Sequence, residues 1–358
     1  MKLLIINNPQ AGYGNGTIYD FIRSVADDDT EVVLRTLGPN TTTDKLLADA
    51  SDFDLIVPSG GDGTICSVAY RLRNTGLNVM PFPAGTSNAL TLNLMSPDEP
   101  HALAKLAKEG SVLDFDMGEL SAGGEKHGFS LVAGCGYDAT IMNAAQENKS
   151  KLGPMAYFHA AFSNPAPTPA HFSITIDGET IERDGLSVMV ANFSKLQFEL
   201  PLTHENQPRD GLLDVMVLKT QNALELIPAF ITTWLDRGGG FPDRGDSVET
   251  FRGKDVQIVS DPPLPLQYDG EATMLTTPAS FTLMPKCVNY VVSDECVRRC
   301  ARRRIRGADA GTISPRPRVR FRNERCASFR RTRRFWASCP EHNESPRVAS
   351  AMHAGFFT

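Results

Sequence analysis

The chain has 358 residues, 41% hydrophobic and 22% charged, an ordinary globular composition with room for two domains. No apolar run approaches the ~20 residues that a membrane-spanning helix needs, and MKLLIINNP is too short in apolar residues for a secretory leader, so a cytoplasmic location is expected. The net charge of −6 hides an asymmetry: from Asp294 onward sixteen arginines face six acids, a local +10 that leaves −16 on the first 293 residues.

From residue 2 to about 115 strand and helix signals alternate. KLLIINN (2–8) reads as a buried strand, and the stretch 18–26 places Ile18, Phe21, Ile22 and Val25 on one helical face. EVVLRTL is a second strand, followed by a short helix in TTTDKLLADA with Thr42 or Thr43 as its cap. DLIVPS and NVMPFPAG are further strands, each followed by helical sequence, and PHALAKLAKEG closes the series. This order predicts a parallel sheet with helices on both faces, with ligands bound at the carboxyl ends of its strands.

From about 116 to 280 the pattern changes to short strands with turn residues between them, among them KHGFSLVAG, HFSITIDG, GLSVMVANF, LLDVMVLK and LPLQYDG. Helical segments are expected at 138–162 and 222–237. SFTLMPKCVNYVV is a candidate closing strand returning to the first domain, so that 281–293 completes residues 1–115. The tail, 294–358, has basic clusters but no apolar period and is expected to be disordered. It reads either as an extension outside selection or as a membrane-docking arm. Four of the seven cysteines lie in it at spacings that fit no zinc site, and the other three read as reduced core residues.

Three strand ends in the first half run into glycine- and asparagine-rich loops: Asn8-Pro9-Gln10-Ala11-Gly12, Gly60-Gly61-Asp62-Gly63-Thr64 and Gly85-Thr86-Ser87-Asn88. Glycine lets a backbone approach a ligand closely, and loops feeding helix N-termini offer N–H donors to phosphate. A carboxylate in such a loop repels phosphate unless a cation intervenes, and Mg²⁺ binds through one or two carboxylates plus phosphate oxygens. Asp62 therefore reads either as a metal-bridging acid or as the N-cap of the helix TICSVAYRL, a role that Thr64 could also serve.

With NNPQAG, SGGDGT, PAGTSN, PRDGLLDVMVLK and the triplet Asp269-Gly270-Glu271 in this order, residues 1 to about 293 resemble the diacylglycerol kinase-like lipid kinases, relatives of the sphingosine kinases and NAD kinases. The resemblance implies an α/β fold, a parallel-sheet nucleotide-binding domain followed by a mostly antiparallel β-rich domain. It implies an ATP site at Asn8 to Gly12, Thr36, Gly60 to Thr64 and Thr86, with Asp62 near the magnesium and Glu271 as general base. It also implies a structural Mg²⁺ held by Asp210 with the carbonyls of Gln207 and Leu212. The substrate implied is a lipid hydroxyl, diacylglycerol or a related lipid, met by peripheral contact with the inner membrane surface. No nucleic-acid partner is expected, and a homodimer is left open.

Alternatives are a sphingoid base or another small acceptor such as NAD, or an inactive nucleotide- or lipid-binding regulator. The GSTAY-like segment of NAD kinases is missing. Ala89 stands where many diacylglycerol kinases have aspartate, and LPLTHENQPRDG departs from the usual approach to the second-domain turn. Asp-Gly is also a common hairpin turn, so the Asp269 triplet has a plain structural reading, and the same triplet recurs at Asp177-Gly178-Glu179 as a turn.

Overall fold

The computed structural model describes residues 1–11, 16–136, 169–193, 208–219 and 248–306. Gly12, Gln207, the segments expected as helices at 138–162 and 222–237, and residues 307–358 lie outside that set.

The first half runs β1 (Lys2–Asn7), α1 (Thr17–Val25), β2 (Glu31–Thr36), α2 (Thr43–Leu46), β3 (Leu55–Gly60), α3 (Asp62–Arg71), β4 (Asn78–Val79), β5 (Phe82–Pro83), α4 (Ala89–Asn93) and α5 (Pro100–Glu109). β1 pairs in parallel with β2 and β3, and β3 with β4 and β5. After Lys2 every residue of β1 is buried, because helices cover both faces of the sheet. Leu3 and Ile5 pack with Phe21 and Val25 of α1 and Leu103 of α5, whereas Leu4 and Ile6 pack with Leu46 of α2 and Ile65 and Val68 of α3. Each such side chain contributes about 1.5–3 kcal/mol of burial. Thr42 caps α2 by accepting from the Lys45 N–H.

The second half is strand-rich: β6 (Ser111–Ala122), β7 (Glu125–Phe129), β8 (Val132–Gly136), β9 (Ala170–Ile176), β10 (Glu179–Gly185), β11 (Ser187–Ala191), β12 (Leu213–Leu218), β13 (Val248–Gly253), β14 (Asp255–Asp261), β15 (Pro265–Tyr268), β16 (Glu271–Thr276) and β17 (Ala279–Val292). One sheet has the order β13-β12-β11-β8-β15-β16 and is antiparallel. The other continues the parallel strands, in the order β10-β9-β14-β17-β4-β3-β1-β2. β17 makes that join: Asn289 and Tyr290 pair in parallel with β4, and the strand also pairs antiparallel with β6 and β14. The boundary expected at 115/116 falls inside β6.

A second core fills the space between the sheets. Phe129, Phe172, Ile174, Val256 and Phe281 project from one, and Val188, Val190, Val215 and Leu266 from the other. β14 alternates buried and exposed residues along its whole length, as a strand with one solvent face must.

At residue 294 the structure departs from the sequence expectation. A helix, α6 (Asp294–Arg306), occupies the first 13 residues of the stretch expected to be disordered. The Ser293 hydroxyl accepts from the Cys296 N–H, Asp294 and Glu295 sit in the first turn, and Cys296 is buried with Val297 and Cys300 packed beside it. Three small apolar side chains at helical spacing suffice to dock this turn on the core, a period that the surrounding arginines obscure in the sequence.

Candidate active site

The parallel register places the predicted loops at one edge of the sheet. Asn7 lies opposite Thr36 and Ser59, and Ser59 and Gly60 lie opposite Phe82 and Pro83. The loops after β1, β3 and β5, and Thr36 at the end of β2, therefore share the carboxyl edge where α/β sheets bind ligands.

These loops are fastened to one another. The Asn8 N–H donates to the Ser59 carbonyl at 2.8 Å, its side-chain oxygen accepts from the Gln10 N–H at 3.1 Å, and its Nδ2 donates to Thr64 Oγ1 at 2.9 Å. Ala11 closes the turn by donating to the Asn8 carbonyl, and Pro9 and Gln10 are exposed. A Cβ on Gly85 would lie 2.4 Å from Gly61 Cα, so the second and third loops touch backbone to backbone. Asn88, at φ +49°, closes the third loop by accepting from the Gly85 N–H at 2.8 Å, and Thr86 is exposed between them.

Asp62 opens α3, but its carboxylate reaches another helix. Oδ2 accepts from the Ala89 N–H at 3.1 Å and Oδ1 from the Leu90 N–H at 2.9 Å, so it caps α4. The cap expected on the helix that Asp62 itself opens is not formed: the N-cap of α3 is Gly61, with no side-chain cap hydrogen bond. Residue 89 takes part through its backbone, so alanine there keeps this contact.

Glu271 arrives from the other sheet. β15 and β16 are joined through Asp269 at φ +45° and Gly270 at φ +80°, a two-residue turn of the kind that Asp-Gly favours. The hairpin turns the first residue of β16 toward α3. A Cβ on Gly63 would lie 2.7 Å from Glu271 Oε1, which puts the carboxylate on the N-terminal turn of α3, one residue from Asp62. Asp177 and Gly178 make the same turn between β9 and β10, at φ +49° and +93°. There the acid only accepts from the exposed Lys254 and Asp255 N–H groups. The two triplets share a backbone shape and differ in what they face.

Sequence reasoning missed what Asp269 does. Its half-buried carboxylate accepts from three consecutive backbone donors, Ser130, Leu131 and Val132, at 2.7–3.0 Å. Burial pushes this carboxyl up to about 6, against the pull of those N–H groups. The triplet was visible in the sequence, but only the fold brings Ser130 beside it.

The second-domain turn departs from expectation. Asp210 pairs with Arg252 Nη2 and accepts from the Leu212 N–H, while Arg252 Nε donates to Asp214 at 2.8 Å. β12 pairs with β13 so that Asp214 lies opposite Arg252, and burial pushes the Asp210 carboxyl up. A guanidinium already neutralises the acid expected to hold a structural Mg²⁺, so the arrangement does not fit that ion. The described residues contain no group of three or more His, Cys, Asp or Glu side chains arranged for a metal. Behind the turn, buried Asp116 accepts from the Gly211 and Lys286 N–H groups. It is an acid that the alternation of VLDFDMGEL left unassigned.

The chain matches two family descriptions in succession. Residues 2–120 match "Diacylglycerol kinase catalytic domain", and 131–292 match "YegS C-terminal NAD kinase beta sandwich-like domain". An uncharacterized protein of Synechocystis is 28% identical over 315 residues, 80% of this chain and 69% of its own. A diacylglycerol kinase of Mycobacterium tuberculosis is 25% identical over 298 residues, 81% of this chain and 94% of its own. A crystal structure of a Bacillus anthracis diacylglycerol kinase superposes with a TM-score of 0.60 at 21% identity, over 82% of this chain and 98% of that one, a likeness of fold. No helix among the described residues is long and apolar enough to cross a membrane. With both domain types in order, and the two-sheet fold that goes with them, the chain belongs to the diacylglycerol kinase-like family of lipid kinases.

Proposed function

We propose that this protein transfers the γ-phosphoryl group of ATP to a lipid hydroxyl, with diacylglycerol as the first candidate acceptor. The observation that carries the reading is Glu271: a carboxylate from the antiparallel sheet seated on the glycine turn that opens α3. Phosphoryl transfer needs a phosphate cradle, neutralised charge and a group that takes the nucleophile's proton, and the family match supports that chemistry here.

The loops of Asn8 to Gly12, Gly60 to Thr64 and Thr86, with Thr36 beside them, would hold the nucleotide, the N-terminus of α3 offering backbone donors to phosphate. Asp62 suits Mg²⁺ arriving with ATP: it is a hard oxygen donor at a glycine turn, already oriented by two backbone N–H groups. Bound there, the ion would neutralise charge developing on the phosphates. Glu271 would accept the proton of the lipid hydroxyl, provided the hydroxyl enters within hydrogen-bond reach of its carboxylate. The lipid would be met at a membrane surface without a spanning helix.

The test is transfer of labelled γ-phosphate from Mg-ATP to detergent-dispersed diacylglycerol, monoacylglycerol, sphingosine, ceramide and phosphatidylglycerol, with Glu271→Gln alongside. A labelled lipid that disappears in the variant supports the reading and names the acceptor class. No labelled lipid from a chain that still binds Mg-ATP overturns it in favour of a soluble acceptor or a binding protein.

A further inference from the structure

A closed path of contacts links α3 to the hairpin that carries Glu271. Cys66 of α3 donates its thiol to the Gly128 carbonyl at 3.2 Å, and Ser130 Oγ lies 3.5 Å from the same sulfur. The three N–H groups that follow, Ser130 to Val132, wrap the Asp269 carboxylate, and the Asp269 N–H donates back to the Val132 carbonyl at 2.8 Å. Two residues on, Glu271 returns to α3 at Gly63. The path closes on the helix where it began.

We propose that Asp269 is a positioning residue for the transfer reaction: its carboxylate, gripped by the Ser130–Val132 backbone, fixes the β15–β16 turn so that Glu271 rests on α3. This rests on the kinase reading above. A turn of this shape does not itself require a sheltered acid, since Asp177 makes one at the surface. At Asp269 the grip serves the geometry beyond the turn. An amide in its place keeps one acceptor oxygen and points an NH₂ at N–H donors, so the turn must shift. Protonation removes part of the same grip. The groups facing Asp269 are the Cys66 thiol of α3, the Tyr268 ring of β15 and the Tyr290 phenol of β17, with Glu271 two residues away.

The experiment uses the full chain, with Asp269→Asn and wild type assayed for transfer to the same five detergent-dispersed lipids between pH 5 and 8. Mg-ATP-induced thermal shift is recorded in parallel. Asp269→Asn should keep the wild-type thermal shift and the KM for ATP within about twofold, lose at least tenfold in kcat, and lack the fall in kcat that the wild type shows below about pH 6. A folded variant with kcat within twofold of wild type overturns the proposal, as does an unchanged acid limb. Should Asp269→Asn not fold, the wild-type profile decides: kcat flat to pH 5 overturns the proposal, and a fall near pH 6 with nucleotide binding intact supports it. Wild type with no transfer to any lipid fails the kinase reading itself, whereas an active wild type matched by its variant sinks this proposal alone.

Discussion

Replacing Gly63 by alanine tests the placement of Glu271 directly. The new methyl would lie 2.7 Å from Glu271 Oε1, 3.2 Å from its Cγ and 3.3 Å from its Cδ, where carbon contacts settle at about 3.5–4.0 Å. The glutamate must therefore retreat by roughly 0.5–1 Å. The helix itself favours the change, since alanine within a helix is better than glycine by roughly 0.5–1 kcal/mol. Gly63 has no left-handed φ to oppose it. A displacement of about 1 Å at a reacting group costs on the order of 100-fold in rate, about 2.7 kcal/mol of barrier. Gly63→Ala should thus melt within about 2 °C of wild type and lose about 100-fold in kcat. Stopped-time transfer assays and differential scanning fluorimetry on the same preparation measure both. A variant with kcat within threefold of wild type would mean that the Glu271 carboxylate does not act from this seat, and the reasoning would fail.

Gly85→Ala meets backbone rather than a flexible side chain, 2.4 Å from Gly61 Cα, and should lower the melting temperature by several degrees as well as weaken Mg-ATP binding. Arg252→Met strips the partner from Asp214, whose side chain is 4% exposed, and from Asp210. With the guanidinium one-third exposed, the loss is discounted to about 2 kcal/mol, read as a fall in urea midpoint. The wild-type midpoint should not change on adding EDTA, while Mg²⁺ should partly restore the variant; an EDTA-sensitive wild type would return a structural metal to this turn. Asp177→Ala removes two surface hydrogen bonds and should cost about 1 kcal/mol with kcat unchanged, which separates the two Asp-Gly-Glu triplets.

The sequence carried the fold well because the signals that build it are local. The four apolar residues LLII can be buried in succession only between two helical layers, and β14 alternates because one of its faces is wet. The loops of the nucleotide site were legible for the same reason: glycine, asparagine and threonine cluster where the strands end. What stayed hidden depends on register. Arg252 is 42 residues from Asp210 and meets it because β12 and β13 pair with Asp214 opposite Arg252. Ser130 lies 139 residues from Asp269. Asp62 was read through its own helix, but its hydrogen bonds go to the next one, because the second and third loops touch at Gly61 and Gly85.

The half-buried acid beside Glu271 makes activity and stability diverge with pH, which an ordinary acid-sensitive protein would not show. Burial holds the Asp269 carboxyl up at about 6, roughly two units above a free aspartate at ~3.9. Between about pH 4 and 6 the native state therefore keeps a proton that the unfolded chain has released, and this group stabilises the fold more as pH falls. At about 1.4 kcal/mol per unit the full effect is on the order of 3 kcal/mol, lost again as pH rises through about 6. Other carboxylates titrate in the same window, so the quantity to measure is the difference in urea-unfolding free energy between wild type and Asp269→Asn. That difference should shift toward the wild type by about 2 kcal/mol between pH 7 and pH 4.5, while wild-type kcat falls over the same interval. A residue that merely held the turn together would lose rate and stability in step. If the free-energy difference instead moves against the wild type on acidification, Asp269 is held as a charge rather than against its charge, and the link between its protonation and Glu271 fails with it.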